Sequence, residues 1–197
     1  LCEEAVYGLP EWNLNEIIKA RLVACPGCFP TASLLCLLPF LKQGLIETDN
    51  IIIDAKSGSS GAGRTPKQNL LLAEASESIS PYGVVGHRHT SEIEQFSSDV
   101  AGREIQLRFT PHLVPMVRGL LCTTYARLRD PCLTADDCLT VLKAVYRNNS
   151  FITVLPVSTY PSTKWVRHTN KAQLSVQVDK RNGGLILMSA IDNLLKG

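Results

Sequence analysis

Apolar residues at positions 14, 17, 18 and 22 recur with helical spacing, so residues 13–22 are expected to form a helix with a Leu14, Ile17, Ile18 and Leu22 stripe. The run from Ile17 to Ala24 stays largely apolar apart from Lys19 and Arg21, until Pro26-Gly27 interrupts it. From Ala32 to Leu41 apolar residues fall on almost every side, the pattern of a helix buried all round, running to about Gly44 as a C-cap. Ile51-Ile52-Ile53 marks a buried strand over residues 50–55 that empties into the small-residue loop from Ser57 to Arg64. Residues 67–76 read as helical and residues 82–89 as extended or irregular. Ser91, with Glu94 three residues on, is placed to cap a helix starting at Glu92.

The second half carries more strands. Residues 105–110 alternate, residues 119–128 form a longer strand, and Thr134 caps an amphipathic helix through Val145. Three further strands are expected over 151–155, 172–178 and 185–191, the last two joined by Asp179-Lys180-Arg181-Asn182-Gly183-Gly184, a hairpin turn. Strands cluster without strict alternation with helices, so the predicted class is α+β, a mixed, largely antiparallel sheet covered by helices.

Composition narrows this further. With 197 residues, 45% of them hydrophobic, and a net charge of +2, the chain is expected to be globular, with one domain or at most two. Lys and Arg are scattered among Asp and Glu, which gives no footprint for nucleic acid. No apolar run reaches the ~20 residues that cross a bilayer, and no signal-peptide pattern opens the chain. Seven cysteines without regular spacing favour a reducing compartment over a disulfide framework, so the expected location is cytoplasmic. The chain opens on Leu1 and closes on Leu194-Leu195-Lys196-Gly197 directly after an apolar segment, which is read as residues 1–197 forming a domain excised from a longer protein.

Candidate chemistry starts at Cys28, which falls at or just before a helix N-terminus, where partial positive charge and unpaired amides lower a thiol pKa and can hold an oxyanion. A structural cysteine is the plain alternative, since most of the others must be packing or incidental. Cys25-x-x-Cys28 could also be redox-active, but a zinc site would need two more ligands, and no second C-x-x-C or H-x3-H is present; no metal is expected. A thiol nucleophile needs a base. His87 and His89 share one side of an extended segment, and the cations Arg88 and Arg64, read as flanking them, would depress a histidine pKa and attract an anion. His112 reads as a core or turn histidine and His168 as a surface one. Gly58, Gly61 and Gly63 let a strand-to-helix loop cradle an anion, or simply connect elements. Arg118, at the mouth of the longest strand, suits a carboxylate or phosphate, or an ordinary ion pair.

Cys25-Pro26-Gly27-Cys28-Phe29-Pro30-Thr31-Ala32 resembles the active-site stretch of the N-acetyl-γ-glutamyl-phosphate reductase family. Tyr7-Gly8-Leu9-Pro10-Glu11, Ser57-Gly58 with Gly61-Ala62-Gly63-Arg64, Gly86-His87-Arg88-His89-Thr90 with Glu92-Ile93, Phe109-Thr110-Pro111-His112-Leu113 with Arg118-Gly119, and Ile191-Asp192-Asn193-Leu194-Leu195-Lys196-Gly197 match that family in the same order. The resemblance implies a glyceraldehyde-3-phosphate dehydrogenase-like C-terminal domain and NADPH-dependent reductive dephosphorylation of N-acetyl-γ-glutamyl phosphate in arginine biosynthesis. It makes Cys28 a nucleophile that forms a thioester. The acid/base histidine maps to the His87–His89 segment, with His89 favoured and His87 not separable from it. The resemblance also makes Ser57, Gly58 and Asn193 neighbours of the cofactor, and Arg118, Arg64 and Arg88 candidates for substrate anions. It further implies a homo-oligomer, dimer or tetramer, with a small-molecule substrate and no nucleic-acid or membrane partner. The family's N-terminal Rossmann domain has no counterpart in residues 1–197, so most of the NADPH site is expected elsewhere and the fragment alone is expected to be inactive. Cys25, not usual at its position in the family, is read as a bystander. A related aspartate-semialdehyde dehydrogenase-like domain is disfavoured because Leu120, not histidine, follows Gly119. A non-catalytic oligomerisation module is the other alternative.

Overall fold

The structure, a computed structural model, describes residues 2–65 and 67–197. Val6–Tyr7 (β1) pairs in parallel with Val23–Ala24 (β2), with the helix Pro10–Ile17 (α1) between them. Then follow Cys28–Lys42 (α2), Ile51–Ser57 (β3), Leu72–Ala75 (α3), Ser80–Pro81 (β4), His89–Ala101 (α4) and Leu107–Leu113 (β5). Leu120–Arg127 (β6), Ala135–Tyr146 (α5), Ile152–Val154 (β7), Thr163–Val166 (α6), Ala172–Asp179 (β8) and Gly184–Ile191 (β9) complete the chain.

Seven strands form one sheet in the order β4-β5-β3-β6-β9-β8-β7. The pairs β3–β5 and β7–β8 are parallel and the other four antiparallel, so the sheet is mixed and largely antiparallel, as predicted. Alternation sorts its two faces in β3 and β6, while the middle of β8 and the end of β9 are buried on both. Ile51, Ile53, Ala55, Leu120, Cys122, Leu185, Leu187 and Ile191 point into the core. There they meet α2, which packs on β6, β9 and β8 and is covered in turn by α4 and α5. Every residue from Phe29 to Leu41 is buried, which is why that helix is apolar all round. Its remaining polar groups are bonded to the fold: the Ser189 hydroxyl donates to the Ala32 carbonyl at 2.6 Å, and the Tyr146 hydroxyl to the Leu35 carbonyl at 2.7 Å.

Several boundaries differ from expectation. Pro10, whose fixed φ suits a first turn, starts α1 ahead of residue 13, and the helix ends at Ile17. The following residues leave it to pair with β1, Val6 N–H donating to Leu22 O and Gly8 N–H to Ala24 O. The expected apolar stripe therefore does not form a core face, and Leu14 and Ile18 lie on the surface. Residues 67–76 form only a 3-10 turn, Gln68–Leu70, followed by the single turn of α3. The helix expected from Glu92 begins at His89; Ser91 sits inside it, its hydroxyl donating to Arg88 O, so it does not cap. At α5 the capping reading holds, Thr134 and Asp137 forming a reciprocal capping box.

Candidate active site

Pro26-Gly27 turns the chain from β2 into α2, with Gly27 as N-cap and Cys28 as the first helical residue. The Gly27 carbonyl accepts the Thr31 N–H at 2.9 Å and the Thr31 hydroxyl at 3.0 Å, which seats the first turn. Its N–H donates to Glu92 Oε1 at 2.9 Å, and the same oxygen accepts the Tyr7 hydroxyl at 2.8 Å. A Cβ on Gly27 would stand 2.2 Å from His89 Nε2, so only glycine lets the imidazole lie against this turn. On the other side, a Cβ on Gly197 would stand 2.5 Å from the Cys28 Cβ. The thiol thus projects from between two glycines.

His89 is the buried first residue of α4, with His87 just ahead of it. The rings lie 4.8 Å apart, and the His89 backbone N–H donates to His87 Nδ1 at 3.1 Å. Phe29 meets both imidazoles edge-on at 5.8 and 5.9 Å. Burial, then the neighbouring His87 and Arg88, hold the His89 pKa down at about 4. Burial and Arg88 lower that of His87 as well. Among the described residues, His89 Nδ1 is buried without a hydrogen-bond partner.

Cys28 departs from expectation. Burial pushes its thiol up from the ordinary value, and Glu92 adds to the rise; the backbone N–H groups of Phe29 and Cys28 and the charge of Arg88 oppose it without prevailing. At neutral pH the pair is therefore a thiol and a neutral imidazole. Such a thiol needs a base at the moment of attack, and His89 at that pH is free to accept a proton.

Cys28, His87, Arg88 and His89 line one cavity of about 380 Å³, with Ser57 and Gly58 also on its wall. Lys67 and Tyr82 line it too. Tyr82 stands edge-on to His87 at 5.6 Å, and its phenol is pushed up to about 12 by burial and the neighbouring Cys28, against the pull of Arg88. Neither residue stood out in the sequence, because an isolated lysine and tyrosine on irregular loops carry no spacing signal. Glu92 was visible only as part of a matching stretch.

Three expected site residues lie outside this lining. Arg64 is exposed and borders a separate depression with Ser59 and Thr65. The Arg118 guanidinium is engaged by Asp192, Nε to Oδ2 at 2.7 Å, the ordinary ion-pair alternative. Asp192 is fully buried and also takes the backbone N–H groups of His168, Leu194 and Leu195. Asn193 is buried as a brace: Oδ1 accepts the Gly119 N–H at 2.7 Å and Nδ2 donates to Ser60 Oγ at 3.0 Å. The loop after Ser57 is likewise bonded within the fold. Gly58, Ser59 and Ser60 donate their N–H groups to Gly119 O, Met116 O and Val117 O, so these amides form no anion cradle. Its glycines instead allow close packing, a Cβ on Gly58 standing 2.8 Å from the Met116 carbonyl oxygen.

His112 is half-buried on β5, its Nδ1 3.2 Å from Asp54 Oδ1, and His168 is exposed. Cys25 is exposed and lines a different depression with Tyr7 and Ser91, so it does not share the cavity of Cys28. Both thiols are free.

The family described as semialdehyde dehydrogenase, dimerisation domain, matches residues 28–193. Over all 197 residues the chain is 73% identical to an N-acetyl-gamma-glutamyl-phosphate reductase of Parasynechococcus marenigrum (strain WH8102), covering 55% of that protein. It is 74% identical to the reductase of the same name from Prochlorococcus marinus (strain MIT 9313), again over 100% of this chain and 55% of that one. The chain thus spans about half the length of the curated relatives it matches. Among solved structures, aspartate semialdehyde dehydrogenase II from Vibrio cholerae superposes with a TM-score of 0.76 over 99% of this chain and 65% of that chain. At 16% identity that likeness speaks for the fold alone.

Proposed function

The chain belongs to the semialdehyde dehydrogenase dimerisation-domain family, and on that premise we propose that it is the catalytic part of an N-acetyl-γ-glutamyl-phosphate reductase, acting in arginine biosynthesis. The observation that carries this reading is Cys28 at the head of α2, opening into one cavity with His89 and Arg88.

The first half-reaction follows from the charge states. Cys28 Sγ attacks the acyl carbon, the C–O bond to phosphate breaks, and the thiol proton passes to His89, leaving a thioester. Arg88 and Lys67 are the cations on the cavity wall and suit the phosphate and carboxylate of the substrate. In the second half, the C–S bond breaks as the aldehyde leaves, and the proton held on His89 returns to Sγ. NADPH, when bound, would supply the hydride that reduces the thioester. Ser57, Gly58, Gly61 and Ala62, which line the same cavity as the thiol, are small and would leave room for the cofactor's ring. Asn193 is the family's nicotinamide neighbour, and a turn of its amide towards the ring would exchange the Ser60 bond for one to the cofactor. The rest of the NADPH site would then belong to chain beyond these residues. A second copy of the chain is the proposed partner.

The test uses the full-length protein with N-acetyl-γ-glutamyl phosphate and NADPH, following loss of NADPH absorbance. Turnover that disappears in Cys28→Ser and in His89→Asn is expected. Turnover surviving Cys28→Ser, or turnover of aspartyl phosphate in preference, would overturn the reading.

A further inference from the structure

We propose that Glu92 is a positioning residue for the Cys28 nucleophile, its carboxylate clamping the turn that presents the thiol. The inference deepens the reading above and rests on Cys28 being the nucleophile. Glu92 lies in the first turn of α4, the helix that also begins with His89. One of its oxygens takes both the Gly27 N–H, at 2.9 Å, and the Tyr7 hydroxyl, at 2.8 Å. Base and nucleophile are thereby tied to one rigid element. His89 is fixed in α4 itself, and the residue before Cys28 is bonded to the same first turn of that helix. Tyr7 completes the clamp from β1, its ring 4.3 Å from that of Phe96 on α4, so the carboxylate is held from both sides. The Gly27 N–H is one of the amides that a helix start leaves without a backbone partner, and a carboxylate there gives a charge-assisted bond.

The clamp has an electrostatic side. Glu92 is the negative charge that opposes ionisation of Cys28, against Arg88 and the helix-start amides that favour it. The other titratable groups on the thiol's cavity are His87, His89, Tyr82 and Lys67. Burial is the main cause that keeps the thiol protonated and Glu92 adds to it, so attack is conditional on proton transfer to His89.

Two variants of the full-length protein separate the clamp from the charge. Glu92→Gln keeps an oxygen for both donors and loses the charge. The midpoint of the pH dependence of Cys28 alkylation by iodoacetamide, read at Cys28 by fragment mass spectrometry, is expected to fall. Its kcat is expected to fall by less than that of Glu92→Ala. Glu92→Ala loses the clamp and is expected to lower kcat roughly 10- to 100-fold while KM moves less than about threefold. Tyr7→Phe, which removes one donor only, is expected to fall between them and carries the test if Glu92→Ala does not fold. An unmoved alkylation profile in Glu92→Gln overturns the electrostatic side, and parental kcat in Tyr7→Phe together with Glu92→Ala overturns the clamp. Turnover by Cys28→Ser would instead overturn the reading of the nucleophile, a result the alkylation profiles do not depend on.

Discussion

At the scale of single residues, the site is a neutral pair held in a tight space. His89 is buried against Gly27 and Phe29, and its pKa of about 4 lies below the ordinary 6.5 because charging it there costs solvation and sets it beside Arg88. The consequence for stability has a definite sign. Between about pH 6.5 and 4 the unfolded chain binds a proton at this position that the folded chain refuses. Stability attributable to His89 is therefore complete above that window, falls as the pH drops through it, and levels off below it. The full loss is on the order of 3 kcal/mol. Urea midpoints of the full-length protein measured from pH 7.5 to 4 should show this slope, and His89→Asn should flatten it. An equal slope in the variant would mean that carboxylates alone set the acid sensitivity.

At the scale of elements, the matching stretches turn out to be wired to one another. Tyr7 and Glu11 come from one of them; Tyr7 reaches Glu92 in a second, which reaches Gly27 in a third. Glu11 on α1 is ion-paired with Lys196, and both side chains are almost wholly enclosed. That pair fastens the turn at residues 192–197, whose Gly197 packs on Cys28. Lys196→Met would leave the Glu11 carboxylate buried without its counter-ion, a change that costs about 3–5 kcal/mol where such pairs have been broken. A large fall in the thermal midpoint is expected, much of it recovered by adding Glu11→Leu. Full stability in the single variant would show that water reaches this pair. The elements themselves were legible wherever one period dominated: α2, β3, β6, β8 and β9 follow from their apolar patterns, and α5 from Thr134. What pattern could not give was everything settled by partners far along the chain. The apolar stripe of α1 predicts burial, yet pairing of β2 with β1 draws the chain out of the helix and leaves Leu14 and Ile18 exposed. Cys28 was legible from Pro26-Gly27 and the helix after it. The raised thiol was not, because burial outweighs a helix terminus only once the layers that bury it are in place.

At the scale of the whole molecule, the sheet has one face too few covers. Its helix side is closed by α2, α4 and α5, whereas the other side is covered at one end, where Ser175 Oγ on β8 donates to Thr159 O, α6 packs on β9 and Ala190 is buried. In the middle of the sheet that second face runs as a row, Ile52 beside Tyr125 beside Ile186, with Leu121 and Met188 along the same strands. Tyr125 is 41% exposed although it sits on a central strand. A central row of this kind in a sheet is apolar when something packs on it, and monomers seldom leave such a patch to solvent. Asp54, Lys56 and His112 lie to one side of the row, giving a polar rim to an apolar centre, the layout of a protein interface. If two copies meet here, the helices and the Cys28 cavity lie on the far side of each sheet, and association would stiffen β3, which ends at Ser57, and β9, which leads into Asn193, without covering the thiol. Tyr125→Arg places a charge in the centre of that patch and should shift full-length protein at micromolar concentration from dimer towards monomer in sedimentation velocity. Arg127→Ala, on the same face at the strand end, should leave the dimer intact. A dimer that persists in Tyr125→Arg would place the interface on another surface, and the open face of the sheet would need a different cover.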